Sequence, residues 1–371
     1  MFLSDPDPAM SNPTSSHYDP GVGPESLRLI DGPAAWIGAE LRRSDGWMHH
    51  LAPAELDELD AALRATQRQG LGLLEIGRET FALPSFGRTL ARLLDTLLNG
   101  RGFVLIRGIP LERYTRHEAA TIYWGIGAHL GRPVPQNAQG HLLGHVRDLG
   151  LELKDPAVRV YQTTERQTFH TDSCDIVALL CLQKSKSGGL SSLTSSMSVY
   201  NEMVRRRPDL AALLFEPFAT DRRGEVPEGM RPYFMQPVFN EHAGYLSTIY
   251  ARRYIESAQR FPEVPRLTEA QREALDLFDT LAEDTALRLD MAFEPGDMQF
   301  LHNHTILHDR TAYEDWPEPE RKRHLLRLWL CPREGRPLPP VYAQRYGSVE
   351  FGNRGGIRVP GQQLQAPLEV G

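Results

Sequence analysis

His170-Thr-Asp172 sets an imidazole and a carboxylate two residues apart, and on an extended backbone that spacing puts both side chains on one face of a strand. One strand then offers two metal ligands. The triplet arises readily by chance, and His17-Tyr-Asp19 is a second example, but His17 lies in a Pro/Ser-rich stretch whereas His170 precedes the apolar run 176–182. A third ligand must come from elsewhere, and residues 296–310 hold His302, His304 and His308. The Glu294-Pro-Gly-Asp297 turn opens an apolar strand and Asn303 marks another turn. His308 sits on the next short strand, with Arg310 on its own face and Leu307 on the other. His302 falls at a strand end and His304 inside a turn, so of the three only His308 has a strand to aim it. His170, Asp172 and His308 then form a facial triad that leaves open positions on Fe(II). Asp175 is the next carboxylate to consider if Asp172 is not the ligand.

The segment Arg321-Lys-Arg-His-Leu-Leu-Arg-Leu-Trp-Leu330 reads as a strand in which Arg323, Leu325, Arg327 and Trp329 share one face. An arginine on an otherwise apolar strand needs an anion. It either forms structural salt bridges with Asp or Glu, or holds a dicarboxylate through its two-pronged guanidinium. Arg323 lies 15 residues past His308, enough for a loop and a return strand alongside, which favours the dicarboxylate.

Several elements must hold these residues. Between residues 53 and 100, Leu56, Leu59 and Leu63 line one helical face ending at Gly70. Leu90, Leu93, Leu94, Leu97 and Leu98 line a second ending at Gly100. Residues 103–108 read as a buried strand, and Thr115 with Glu118 has the spacing of a capping box that opens a helix to about residue 130. Short apolar runs follow at 158–161, 176–182, 190–194, 292–293, 298–301 and 324–330, with helices at 199–206 and 268–282, the second opened by Thr268 and Gln271. The pattern predicts an α+β, mainly β fold: an antiparallel double sheet such as a jelly roll, with N-terminal and inserted helices. It divides into an irregular tail (1–27), a helical region packed on the core (28–100), the β domain (101–351) and an irregular tail (352–371).

Composition sets limits. A net charge of −7 over 371 residues, without a long basic stripe, argues against nucleic acid. No Gly-rich phosphate loop follows a strand, and no apolar run reaches the ~18 residues of a membrane span. Cys174, Cys181 and Cys331 are too few for a disulfide scaffold and favour a reducing, cytoplasmic setting, and Cys174 and Cys181 read as small buried hydrophobes. The N-terminal residues carry neither a basic start nor an apolar signal core.

In their order and spacing, the His-Thr-Asp, the Gly188-Gly189 turn, the Gly-Asp…Asn-x-x-x-x-His-x-Arg run and the Arg-x-x-x-Arg strand resemble the taurine dioxygenase-like (TauD/TfdA) family of Fe(II)/2-oxoglutarate-dependent oxygenases. The resemblance covers roughly residues 102–330 and implies a double-stranded β-helix with Fe(II) on His170, Asp172 and His308. It further implies that 2-oxoglutarate and O2 are cosubstrates, and that Arg323 pairs with the far carboxylate of 2-oxoglutarate. A supporting hydroxyl falls at Ser191, with Ser192 and Thr194 as alternatives. Two departures stand out: Leu190-Ser191 replaces an Asp-Thr, and Leu301-His302-Asn303-His304 replaces a Trp-Asp-Asn-Arg. Arg327, on the same face as Arg323, meets either the cosubstrate or the small, anionic or zwitterionic substrate. Residues 161–164 and Gln136-Asn137 are candidate pocket walls. Expected products are succinate, CO2 and a hydroxylated, desaturated or cyclised substrate, and a homodimer is left open. The rivals are a cupin-like isomerase or hydrolase without 2-oxoglutarate and a non-enzymatic jelly-roll binding module.

Overall fold

A computed structural model of the chain describes residues 23–151 and 158–369. His17, Asp19 and most of the predicted N-terminal tail lie outside them. Among the described residues the two larger sheets and two groups of helices form four layers, and three two-stranded sheets accompany them. The larger sheet runs Met48–His50, Phe103–Arg107, Met298–His302, Ile176–Gln183, His324–Cys331 and Arg132–Pro133, with Leu143–Val146 also paired to His324–Cys331. The smaller runs Leu289–Met291, Ser191–Ser195, Ile306–Arg310 and Gln167–His170. All these pairings are antiparallel except that of Met48–His50 with Phe103–Arg107.

Period-two alternation decides which side chain meets which layer. Leu326, Leu328 and Leu330 face the helices Pro53–Gln69, Phe86–Leu98 and Arg116–Leu130 in one apolar cluster, while Trp329 faces the smaller sheet with Val177, Leu193 and Ile306. On the smaller sheet, Phe169 and Leu307 pack outward against Ser196–Arg206, Pro208–Leu213 and Glu269–Ala282. Their neighbours His170 and His308 therefore point between the sheets.

The helix starts follow from local chemistry. Thr115 Oγ accepts from the Glu118 amide at 3.2 Å and Glu118 accepts from the Thr115 amide at 2.8 Å. Thr268 and Gln271 repeat the arrangement at 3.1 Å each way. Each box is worth about 1 kcal/mol. Gly70, at φ +66°, closes Pro53–Gln69, whereas Phe86–Leu98 ends on Asn99, one residue before the expected Gly100.

Four expectations need correction. The apolar run 158–161 is not a strand; it leads into a short 3-10 turn, Val160–Gln162, closed by Thr163, whose hydroxyl turns back onto the Val160 carbonyl at 2.9 Å. Residues 292–293 lie outside a strand, which instead covers Leu289–Met291. The N-terminal region is not purely helical, since Met48–His50 adds an edge strand to the large sheet. The C-terminal segment is irregular yet anchored: the Arg354 side chain is 1% exposed and binds Asp175, Nε to Oδ1 at 2.9 Å and NH2 to Oδ1 at 2.7 Å. Arg354→Met should leave that carboxylate buried without its cation, costing about 3–5 kcal/mol. A melting point lowered by roughly 10 °C in calorimetry is expected; an unchanged one would mean the pair is energetically idle.

Candidate active site

Between the two sheets, His170 and His308 stand opposite each other on neighbouring strands, with ring centroids 4.1 Å apart. The strand ends at His170, so Asp172 is not fixed by strand geometry as its spacing suggested. Asn303 fixes it instead: its Oδ1 accepts from the Asp172 amide at 2.8 Å, and its Nδ2 donates to the carbonyls of Asp172 and Cys174 at 2.7 and 2.9 Å. One ligand atom from each of His170, Asp172 and His308 then lies within 4.8 Å of the others.

The donors suit a divalent metal. His170 Nδ1 faces the Thr168 carbonyl at 2.8 Å, which holds the proton there and leaves the Nε2 lone pair for the triad, where the Gln167 amide nitrogen meets it at 2.8 Å. Burial, with His308 adding to it, pushes the His170 imidazole down to about 3, so it is neutral at working pH. Burial alone would raise the Asp172 carboxyl, but Arg327 and His308 outweigh it and hold the group well below the usual range. Trp329 Nε1 donates to Asp172 Oδ2 at 2.9 Å, which leaves Oδ1 for a metal. A neutral imidazole beside an ionised carboxylate is the state a cation requires.

His302 and His304 stay out of this cluster. His304 Nε2 meets Asp175 Oδ1 at 2.7 Å, and His302 Nδ1 meets Thr305 Oγ at 3.1 Å, both in the buried core. Asp175, held by His304 and Arg354, is committed elsewhere as well.

Two cavities meet at the triad. The smaller, about 50 Å3, is lined by His170, Asp172, His308, Ser191, Arg323 and Arg327, among others. Arg323 is 4% exposed, has a buried NH1 without a hydrogen-bond partner, and lies 5.1 Å from the Tyr313 ring. Burial lowers its pKa. A buried guanidinium with a free prong is a ready site for a carboxylate. Ser191 Oγ donates to Gln299 at 3.2 Å and lines this cavity. Its alternatives do not: Ser192 Oγ donates to Asp290 at 2.6 Å and Thr194 Oγ to the Ala282 carbonyl at 2.8 Å. Gly189, at φ +69°, gives the arginine room, since a Cβ there would sit 3.0 Å from Arg323 Nε and 2.9 Å from Ser185 Oγ. If Arg323 pairs with 2-oxoglutarate as the resemblance implies, Gly189→Ala should raise the 2-oxoglutarate concentration for half-saturation about tenfold, from backbone strain and a displaced guanidinium, while iron content stays unchanged. Equal saturation curves would show that Arg323 tolerates the methyl group.

The larger cavity, about 550 Å3, is lined by Gln136, Asn137, Tyr161 and Gln162 and reaches His170 and Asp172. Arg327 belongs to both cavities. Its Nε donates to Gln136 Oε1 at 2.6 Å, its NH1 lies 3.7 Å from Asp172 Oδ2, and its guanidinium lies 4.7 Å from the Tyr161 ring. Sequence reasoning missed Gln167, Asn303 and the bond from Trp329. Only Trp329 carried a signal, its place on the face of Arg323 and Arg327.

Residues 64–329 match the family described as Taurine catabolism dioxygenase TauD, TfdA family. The chain is 32% identical over 313 residues to FR-33289 synthase of Streptomyces rubellomurinus, covering 84% of this chain and 92% of that one. It is 33% identical over 304 residues to the taurine hydroxylase-like protein SAT17 of Stachybotrys chartarum, covering 79% and 77%. A uridine-5'-phosphate dioxygenase of an Amycolatopsis species is 30% identical over 175 residues, covering 45% and 62%. Among solved structures, asparagine oxygenase in complex with Fe(II), hydroxyasparagine and succinate superposes with a TM-score of 0.60 at 17% identity, covering 76% and 93%. The non-heme iron oxygenase OrfP in complex with Fe and alpha-ketoglutaric acid gives 0.57 at 16% identity, also covering 76% and 93%. The fold is theirs, and with the triad it defines an iron- and 2-oxoglutarate-dependent dioxygenase. The chain belongs to the TauD/TfdA family.

Proposed function

We propose that the two sheets form a double-stranded β-helix whose His170, Asp172 and His308 hold Fe(II), and that the enzyme couples decarboxylation of 2-oxoglutarate to oxidation of a C–H bond in a small anionic substrate. The observation that carries this reading is the meeting of two cavities at the triad, the smaller ending in a buried arginine with a free prong. When bound, iron and 2-oxoglutarate supply the oxidant, with O2 consumed and succinate and CO2 released. The chain's own task is to position. Arg323 anchors the far carboxylate of 2-oxoglutarate, with Ser191 lining the same cavity. Arg327 and Trp329 orient Asp172, and Arg327 also faces the substrate side. Gln167 guards the Nε2 of His170 until a metal takes its place. The apolar walls Val146, Leu179, Phe293 and Leu325 keep water from the small cavity. An anionic substrate is supported by the names of the taurine family and of the uridine-5'-phosphate relative. A reducing, cytoplasmic setting suits three free buried cysteines.

Anaerobic addition of Fe(II) and 2-oxoglutarate should give a visible charge-transfer band, and admission of air should then yield succinate. Protein that binds the metal yet gives neither band nor succinate would instead favour a cupin-like isomerase or hydrolase; protein that binds no metal would favour a non-enzymatic module.

A further inference from the structure

Part of the larger cavity's wall lies beyond the stretch matched to the family. Pro367 and Glu369 line it, on a run that has no helix or strand beyond one isolated bridge from Gln365 to His141. The run has a fixed root: residues 354–357 are buried, the Gly356 amide donates to the Ser173 carbonyl and the Ile357 amide to the Pro135 carbonyl, each at 2.7 Å. Residues 358–369 are exposed or half-buried, apart from the root, and are held to the loop 136–142 by scattered bonds. Gln362 Nε2 donates to the Asn137 carbonyl at 2.7 Å, the Gln365 amide to the Gly140 carbonyl at 3.0 Å, and the Leu142 amide to the Gln365 carbonyl at 2.8 Å. Ala366 and Leu368 rest on the large apolar cluster. Gly140 has φ +80°, and a Cβ there would run into the Gln363 carbonyl, so the run seats only against glycine. His145 holds the far end. Its Nε2 donates to the Pro367 carbonyl at 2.9 Å, which leaves Nδ1 to accept from His324 Nε2 at 2.8 Å. Burial lowers both imidazoles, His324 to about 3, so this latch is neutral at working pH. The loop that receives the run also carries Gln136, which bonds the Leu142 carbonyl at 2.9 Å and Arg327 Nε at 2.6 Å.

We propose that residues 358–369 are a strap that sets the size of the molecule admitted to the large cavity. Rooted at 354–357 and latched by His145, the strap lifts as a unit to open the cavity and, once seated, bounds it with Pro367 and Glu369. The physical basis is unequal anchoring. A surface run held by scattered single hydrogen bonds opens locally at a far lower free energy than the sheets do, whereas its buried root stays in place. Seating the strap also steadies the loop whose Gln136 holds Arg327, so closure and the order of the substrate side go together. That the cavity is the substrate's rests on the dioxygenase reading; the motion of the strap does not.

Access to a thiol at position 173 tests it in the metal-free full chain. Ser173 lines the cavity next to Asp172, with its Oγ accepting from Arg345 Nε at 2.7 Å, and the three native thiols are buried. In Ser173→Cys, N-ethylmaleimide should label the new thiol, and the much bulkier fluorescein-5-maleimide should react at least about tenfold more slowly once each rate is divided by its value on the unfolded protein. Adding Gly140→Ala should speed the bulky reagent at least about tenfold and the small one far less, because the strap no longer seats. Gln365→Pro removes one amide donor at an exposed position and should act in the same direction without risk to the core. Thr268→Ala removes a helix cap elsewhere and should change neither rate, which separates lifting of the strap from general loss of stability. In the wild-type chain, amide exchange across 358–369 should run at least about tenfold faster than across Ile176–Gln183 and still slower than in an unstructured peptide. The proposal is overturned by a thiol that neither reagent reaches, by reagents that react alike in Ser173→Cys, by size discrimination unchanged in both folded strap variants, or by a strap that exchanges as slowly as the core strand or as fast as a free peptide. Iron and 2-oxoglutarate enter none of these measurements, so failure of the charge-transfer band would count against the dioxygenase reading alone.

Discussion

His308→Ala should come through purification with less than about a tenth of the wild-type iron and release no measurable succinate from 2-oxoglutarate, while His302→Ala and His304→Ala keep the metal. Loss of even an outer partner of a metal ligand costs about 10–100-fold in metal affinity or activity, and loss of a ligand itself exceeds that. Asp172→Ala and His170→Ala should match His308→Ala. In each case the fold should survive, because the side chain removed borders a cavity rather than filling the apolar core. His304→Ala acts differently: it strips a hydrogen bond from buried Asp175 and lowers stability without touching the triad. Iron content of the three histidine variants, measured beside their melting curves, separates the two effects. A metal-free His304→Ala beside an iron-replete His308→Ala would move the ligand to the other histidine.

Arg323→Leu should raise the 2-oxoglutarate concentration needed for half-maximal turnover by roughly 10²–10³-fold, the scale of about 3–5 kcal/mol for breaking a buried charge pair. Its NH1 without a hydrogen-bond partner, its burial and its place in the small cavity leave that prong for a ligand, while the Tyr313 ring lies against the guanidinium. Arg327→Leu should fall mainly on the substrate side and on Asp172, since that guanidinium touches Gln136, Tyr161 and Asp172. Succinate release measured against 2-oxoglutarate concentration distinguishes them, and a larger cosubstrate defect in Arg327→Leu would exchange the two roles.

The residues whose roles follow from local periodicity could be read from the sequence. Alternation put Arg327 and Trp329 on one face of the strand and His308 opposite Leu307, and the structure places them so, whereas Arg323 lies just before the strand, across a register shift at His324 and Leu325, and reaches the small cavity from there. The two hydroxyl-capped helices were equally visible, because a capping box is a contact three residues long. What stayed hidden depends on distant chain. Asn303 looked like a turn marker, yet its amide grips the backbone at Asp172, 131 residues away. His302 and His304 resembled ligands in composition, and only the arrival of Asp175 and the fold of their turn shows them to be core residues. Arg345 and Arg354 lay in segments with no period at all.

Arg354 carries a consequence for synthesis of the protein. Its guanidinium completes a carboxylate only three residues from Asp172, and it follows every strand of both sheets in the chain. A nascent chain that has already made every strand of both sheets still holds Asp175 without its cation, and the wall supplied by Arg345 has not yet docked. Assembly of the centre is thereby tied to translation as far as residue 354. A chain cut short before Arg345 contains all three candidate ligands yet leaves Asp175 without Arg354 and the large cavity without that wall, so it should be less stable and more open to proteases than one that includes residues 345–354.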